Sequence, residues 1–115
     1  MEDIYLYETN IKGKEYNGYT DNVIYEGGII KGKRNGKGKE YYYNGNVIIK
    51  DLIFEGEYLN GKRWNGEGKE YYDNGELAFE GEYLNGERWN GKVKEYNENG
   101  LLIFEGEIKN GIKQV

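Results

Sequence analysis

FEGEYLNGKRWNGEGKEYYDNG at residues 54–75 returns as FEGEYLNGERWNGKVKEYNENG at residues 79–100, with 17 of 22 positions identical. The cadence extends outward from this pair. Lys-Glu-Tyr occurs at 14–16, 39–41, 69–71 and 94–96, in steps of 25, 30 and 25. Phe54, Phe79 and Phe104 hold one register, and Tyr25 opens an earlier, degraded copy, YEGGIIKGKRNG. Asn46 to Lys50 insert five residues, and one residue missing after Arg34 partly offsets them. Self-similarity at a fixed short period marks a repeat architecture, in which each unit buries its apolar face against its neighbours. The chain divides into four copies, roughly 4–24, 25–53, 54–78 and 79–115, forming one repeat domain over 1–115.

Each copy reads as two short strands. Leu77, Phe79, Gly81 and Tyr83 alternate with Ala78, Glu80 and Glu82, a period of two. Asn-Gly follows the Lys-Glu-Tyr strand at 17–18, 44–45, 74–75 and 99–100, and the Phe-Glu-Gly-Glu strand at 60–61, 85–86 and 110–111. This dipeptide tolerates the positive φ angles of tight hairpin turns. Frequent glycine excludes a helix almost throughout. The expected fold is all-β, an elongated antiparallel array of hairpins in an open, twisted meander.

Register has two solutions. A two-residue loop at Asn74-Gly75 sets Lys69 opposite Glu80, and one at Asn99-Gly100 sets Lys94 opposite Glu105, both opposite-charge pairs. It also places Glu70 beside Phe79, and a one-residue slip exchanges the faces. Between the two best copies Lys62 becomes Glu87 while Glu67 becomes Lys92. This double reversal predicts that 62 and 67, or 62 and 87, lie within ion-pair reach.

Composition removes most catalytic chemistry. In 115 residues there is no Cys, His, Pro or Ser, so no thiol, imidazole or serine hydroxyl is present to serve as nucleophile, base or soft ligand. The expectation is a non-enzyme without cofactor or metal. Only 37% of residues are hydrophobic, but 16% are aromatic, including 13 Tyr, and aromatics bury large areas that disordered chains lack. The net charge is −5, and residues 51–115 carry fourteen acidic against eight basic groups. Such a half matches phosphate backbones poorly, which argues against nucleic acid. No apolar run approaches the length of a membrane span. The opening Met1-Glu2-Asp3-Ile4-Tyr5 is acidic where a secretory signal is basic, and absent cysteine fits a reducing compartment, so a cytoplasmic setting is expected.

Arg34, Arg63 and Arg88 recur at equivalent positions, the latter two preceding Trp64 and Trp89. Stacked copies align them as a basic, aromatic stripe, made of the residue types that dominate binding hot spots. The structural alternative packs each Trp on the next copy and stacks each Arg on a ring as a cation–π rung. Glu55/Glu57, Glu80/Glu82 and Glu105/Glu107 each share a strand face, and their recurrence favours a solvated face over an acid–base pair. Gly56, Gly81 and Gly106 between them are expected to admit an aromatic ring from a neighbouring strand. Val47, Ile48 and Ile49 in the insertion extend a hairpin or carry recognition. Ile4-Tyr5-Leu6-Tyr7 and the tail Gly-Ile-Lys-Gln-Val suggest ends that are capped, self-associated or bound to a neighbour.

The pattern FEGEY-x-NG-x-RW-NG-x-G-KEYY-x-NG resembles the MORN (membrane occupation and recognition nexus) repeat. The likeness is specific in Glu55-Gly56-Glu57-Tyr58, Asn60-Gly61, Gly66 and Gly68, and again one copy later. Where the common repeat has a His before its glycine pair, this chain has Trp64-Asn65 and Trp89-Asn90, one residue longer. The resemblance implies an extended hairpin array used as a scaffold for a protein partner or for self-association. It also implies an alternative role in binding phosphoinositide membranes.

Overall fold

The structure, a computed structural model, describes residues 11–43 and 50–115. The Ile4–Tyr7 segment, the Asn44-Gly45 turn and the apolar insertion residues Val47, Ile48 and Ile49 lie outside the described residues. Nine strands follow in order: β1 (Ile11–Tyr16), β2 (Val23–Ile30), β3 (Lys33–Tyr43), β4 (Lys50–Leu59), β5 (Lys62–Tyr71), β6 (Leu77–Leu84), β7 (Glu87–Tyr96), β8 (Leu102–Lys109) and β9 (Ile112–Lys113). Each pairs antiparallel with the next in one open sheet, and no helix occurs among the described residues.

The two Asn-Gly sets make different turns. Asn60 and Gly61 have φ of 50° and 85°, and Asn85-Gly86 and Asn110-Gly111 repeat this, as a two-residue hairpin with both centres left-handed requires. At Asn74-Gly75 only the glycine is left-handed, with φ of 88°. The loop there is wider: Tyr72 N donates to Glu76 O at 2.8 Å and Gly75 N to Tyr72 O at 2.9 Å. A bulge at Glu70/Tyr71 absorbs the added length. The register from the two-residue reading therefore holds, with Lys69 opposite Glu80 and Lys94 opposite Glu105, while the loop itself differs.

One face of the sheet carries the core. Tyr25, Phe54 and Phe79 are fully buried, with Tyr58, Tyr83, Val93 and Ile108 beside them. Their rings meet edge to face: Tyr25–Tyr58 at 5.0 Å, Phe54–Tyr58 at 5.1 Å, Phe54–Tyr83 at 5.5 Å and Phe79–Tyr83 at 5.4 Å. Offset edge contacts of this kind suit the aromatic quadrupole. The rings lie down because glycines give them room, although the covering ring comes from the glycine's own strand or hairpin. A β-carbon on Gly106 would stand 2.8 Å from Phe104 of the same strand, and one on Gly68 would stand 2.7 Å from Phe54. A β-carbon on Gly56 or Gly81 would run into the partner strand's backbone even more closely, at 2.2 Å from Asn65 O and 2.1 Å from Asn90 O.

The first hairpin is slipped. Gly56 pairs with Gly66 and Gly81 with Gly91, but Gly27 pairs with Gly38, the counterpart of Gly68. This shift accompanies the residue missing after Arg34, where the later copies carry Trp64 and Trp89 as unopposed bulge residues. An even shift leaves the faces unchanged.

Candidate functional site

Each glutamate of a Lys-Glu-Tyr segment points to the ring face, which explains Glu70 beside Phe79. There it meets the basic residue of the following copy. Arg34 donates to Glu15 from Nε at 2.9 Å and Nη2 at 3.2 Å. Arg63 donates to Glu40 from Nε and Nη2, both at 3.1 Å. Arg88 donates to Glu70 at 3.0 and 2.7 Å, and Lys113 closes the series on Glu95. Tyr58 and Tyr83 donate their hydroxyls to Glu40 and Glu70 at 2.5 and 2.6 Å. Arg63 Nη1 also donates to the Tyr83 hydroxyl at 2.8 Å and the Lys69 carbonyl at 2.9 Å.

Burial alone would raise the Glu40 carboxyl, but the hydrogen bonds from Arg63 and Tyr58 and the charges of Arg63 and Arg34 hold it below its ordinary value. Glu70 is lowered in the same way, against its own burial, by Arg88 and Tyr83. The phenols respond oppositely: burial first, then the carboxylate each one faces, pushes Tyr58 and Tyr83 well above the usual tyrosine range.

The stripe singled out in the sequence therefore lies within this ladder. Arg34 sits 4.6 Å over Tyr25, Arg63 4.9 Å over Phe54 and Arg88 5.1 Å over Phe79, with the forks occupied by carboxylates. Trp64 and Trp89 are half-buried, and each ring lies against the glycine at the next hairpin tip, Gly86 and Gly111. The tips are also tied by backbone. Gly86 N donates to Trp64 O and Gly111 N to Trp89 O, both at 2.9 Å, and Gly61 N donates to Arg34 O at 2.8 Å. Asn65 and Asn90 side chains cap the following tips at Asn85 and Asn110, each at 3.0 Å, a role marked in the sequence only by their recurrence.

The opposite, outer face is charged. Between β1 and β4 it forms a groove of about 860 Å³ floored by the backbone of Gly13, Gly27, Gly38 and Gly56, which pair in one continuous row. One wall is the registered row Lys14–Glu26–Lys39–Glu55, continuing onto Glu67 and Glu82. The other holds Lys12 opposite Gly28, and Lys37 opposite Glu57. Lys14–Glu26 and Lys39–Glu55 approach to 3.8 and 3.9 Å, whereas Lys12, Lys37, Glu57, Glu67 and Glu82 form no ion pair among the described residues. Smaller hollows of about 230 and 260 Å³ lie further along this face. Among the described residues no acidic group is arranged to hold a metal ion.

The expected pairing of Lys62 with Glu67 or Glu87 does not form. Lys62 closes a hairpin tip opposite Leu59, while Glu67 is mid-strand, on the order of 15 Å along β5. Glu87 lies on β7, with β6 between. The reversal acts elsewhere: Glu67 stands between Glu55 and Glu82, whereas Lys92 stands between Glu80 and Glu107.

The MORN repeat family model matches residues 25–47 and 54–76, which hold the first two ring-and-arginine rungs. These two segments are MORN repeats. MORN repeats are generally non-catalytic modules associated with protein or membrane interaction. In this array the Arg and aromatic positions build the ladder, and the glycine–charge alternation builds the outer face. Comparisons with curated proteins and with solved structures return no significant match.

Proposed function

We propose that the chain is a scaffold for protein–protein interaction and that its working surface is the charged outer face. The observation that supports this is the contrast in engagement: the ladder arginines are bound to carboxylates, while Lys12, Lys37 and Glu57 line a glycine-floored groove and Glu67 and Glu82 extend its charged row, none of them in an ion pair among the described residues. Exposed charges that the fold does not use set partner specificity and association rate. Arg34, Arg63 and Arg88 lie on the opposite, ring face, and Trp64 and Trp89 pack on the next hairpin tips, where they support this surface by holding the copies in register.

Pull-down with the intact chain, with a Lys12→Ala/Lys37→Ala/Glu57→Ala/Glu82→Ala variant and with an Arg63→Ala/Trp64→Ala/Arg88→Ala/Trp89→Ala variant tests the assignment. The outer-face variant is expected to keep the fold and lose the partner. Retained capture by a folded outer-face variant contradicts the reading.

A second reading, a peripheral phosphoinositide module, is favoured by the four lysines 12, 14, 37 and 39 around one groove. Flotation with vesicles containing or lacking phosphoinositide separates it from the first. Salt-sensitive flotation lost on Lys12→Ala/Lys37→Ala supports the membrane role, and no flotation at low salt removes it.

A further inference from the structure

We infer that the outer face is self-complementary and pairs with the outer face of a second copy of this chain about a two-fold axis. The inference rests on the outer face being the working surface and adds the identity of the partner. Its basis is the division of charge across the sheet. On β1–β3 the face presents Lys12, Lys14, Lys37 and Lys39 against Glu26, four basic groups to one acidic, a net +3. On β4–β6 it presents Glu55, Glu57, Glu67, Glu80 and Glu82 against Lys69, five acidic to one basic, a net −4. Glu55, Glu67 and Glu82 are directly opposite one another on adjacent strands, an arrangement that is unfavourable unless opposite charge meets it.

A single-sign partner satisfies one half and is repelled by the other. A second copy satisfies both at once, because a two-fold contact repeats every pairing in reverse. With the axis between the two faces, along the strands and level with the β3–β4 boundary, β1–β3 of each copy covers β6–β4 of the other. The registered rows then bring Lys14 over Glu82, Lys39 over Glu55 and Lys37 over Glu57, each twice. Against these stands Glu26 over Glu67, also twice, so attraction outnumbers repulsion three to one. Gly28, where later copies have Glu57, Glu82 and Glu107, is the substitution that leaves the first half basic.

The test uses two variants that break no ion pair within the chain and each reverse one charge of the facing Lys37–Glu57 pair: Lys37→Glu, which sets acid against acid across the axis, and Glu57→Lys, which sets base against base. Sedimentation equilibrium at low salt should give the intact chain twice its 13.4 kDa mass, falling toward 13.4 kDa in high salt. Each variant alone, shown folded by circular dichroism, should sediment as a monomer. Mixed one to one they should recover the doubled mass, since both contact zones become complementary again. A monomeric intact chain at millimolar concentration and low salt overturns the inference, as does a mixture that stays monomeric or a variant that dimerises like the parent. If the intact chain is monomeric while its capture of another protein still depends on the outer face, only this inference fails and the scaffold reading stands.

Discussion

The copies at 54–75 and 79–100 differ at five positions, and where the differences fall separates the two faces of the sheet. Every ladder component is shared: the Phe, the Tyr, the Arg-Trp-Asn run and the glutamate of Lys-Glu-Tyr. Glu67/Lys92 changes the sign of an outer-face row, Lys62/Glu87 lies at a tip, and Tyr72/Asn97 and Asp73/Glu98 lie at the wider turns. Only Gly68/Val93 touches the ring face, and Val93 is buried there opposite Phe79. The ring face tolerates little because a buried rung is defined by both neighbours, whereas an outer-face charge is felt only by the residues opposite it.

The largest expected contrast lies along the ring face. Phe79→Ala, at a fully buried site, should cost about 3–5 kcal/mol in urea unfolding, and Phe104→Ala, partly buried at the end of the sheet, less than half as much. Equal losses would mean that the terminal rung is as tightly enclosed as the central ones. Next come the clamps. Glu40→Ala strands Arg63 and the Tyr58 hydroxyl and should cost about 2–4 kcal/mol. Glu95→Ala, whose partner Lys113 is half exposed, should cost about 1 kcal/mol or less.

Acid and alkali sharpen the same distinction. The Glu40 and Glu70 carboxyls are held below their ordinary value, so their stabilisation is present above the ordinary carboxylate pKa of about 4.3 and is lost as pH falls through the lowered native value. The urea midpoint should decline on that side, and Glu70→Gln should flatten the decline. Tyr58 and Tyr83 are raised, so their contribution is present below the ordinary phenol value of about 10 and is lost above it. A phenolate titration should show these two silent until the chain unfolds. The smallest effect belongs to the outer face: Glu67→Lys should stabilise the fold by about 0.2–1 kcal/mol, and Lys92→Glu should destabilise it by a similar amount. Opposite signs would show that those rows do not face one another.

The strands, the hairpin period and the Lys69–Glu80 and Lys94–Glu105 register were legible because Asn-Gly and alternating residues encode them locally. The ladder was legible in outline: recurring Arg before Trp announced a stacked series, but not which acid receives each arginine. That acid, the glutamate of Lys-Glu-Tyr, lies 18 to 23 residues away in the sequence. It reaches Arg only because a bulge after it and the hairpin twist bring both to the ring face. The groove was not legible, since a row such as Gly13–Gly27–Gly38–Gly56 exists only once four strands are in register, and the first hairpin is slipped by two residues. The Lys62/Glu67 reversal misled for the same reason: its meaning lies across strands, not along one.

Urea unfolding of the Lys12→Glu/Lys37→Glu/Glu57→Lys/Glu82→Lys chain beside Arg63→Ala most directly tests the separation of a structural ring face from a free outer face. The fourfold outer-face change should leave the midpoint near that of the parent chain, while the single arginine loss lowers it clearly. Collapse of the outer-face variant, or an unchanged Arg63→Ala, contradicts the account.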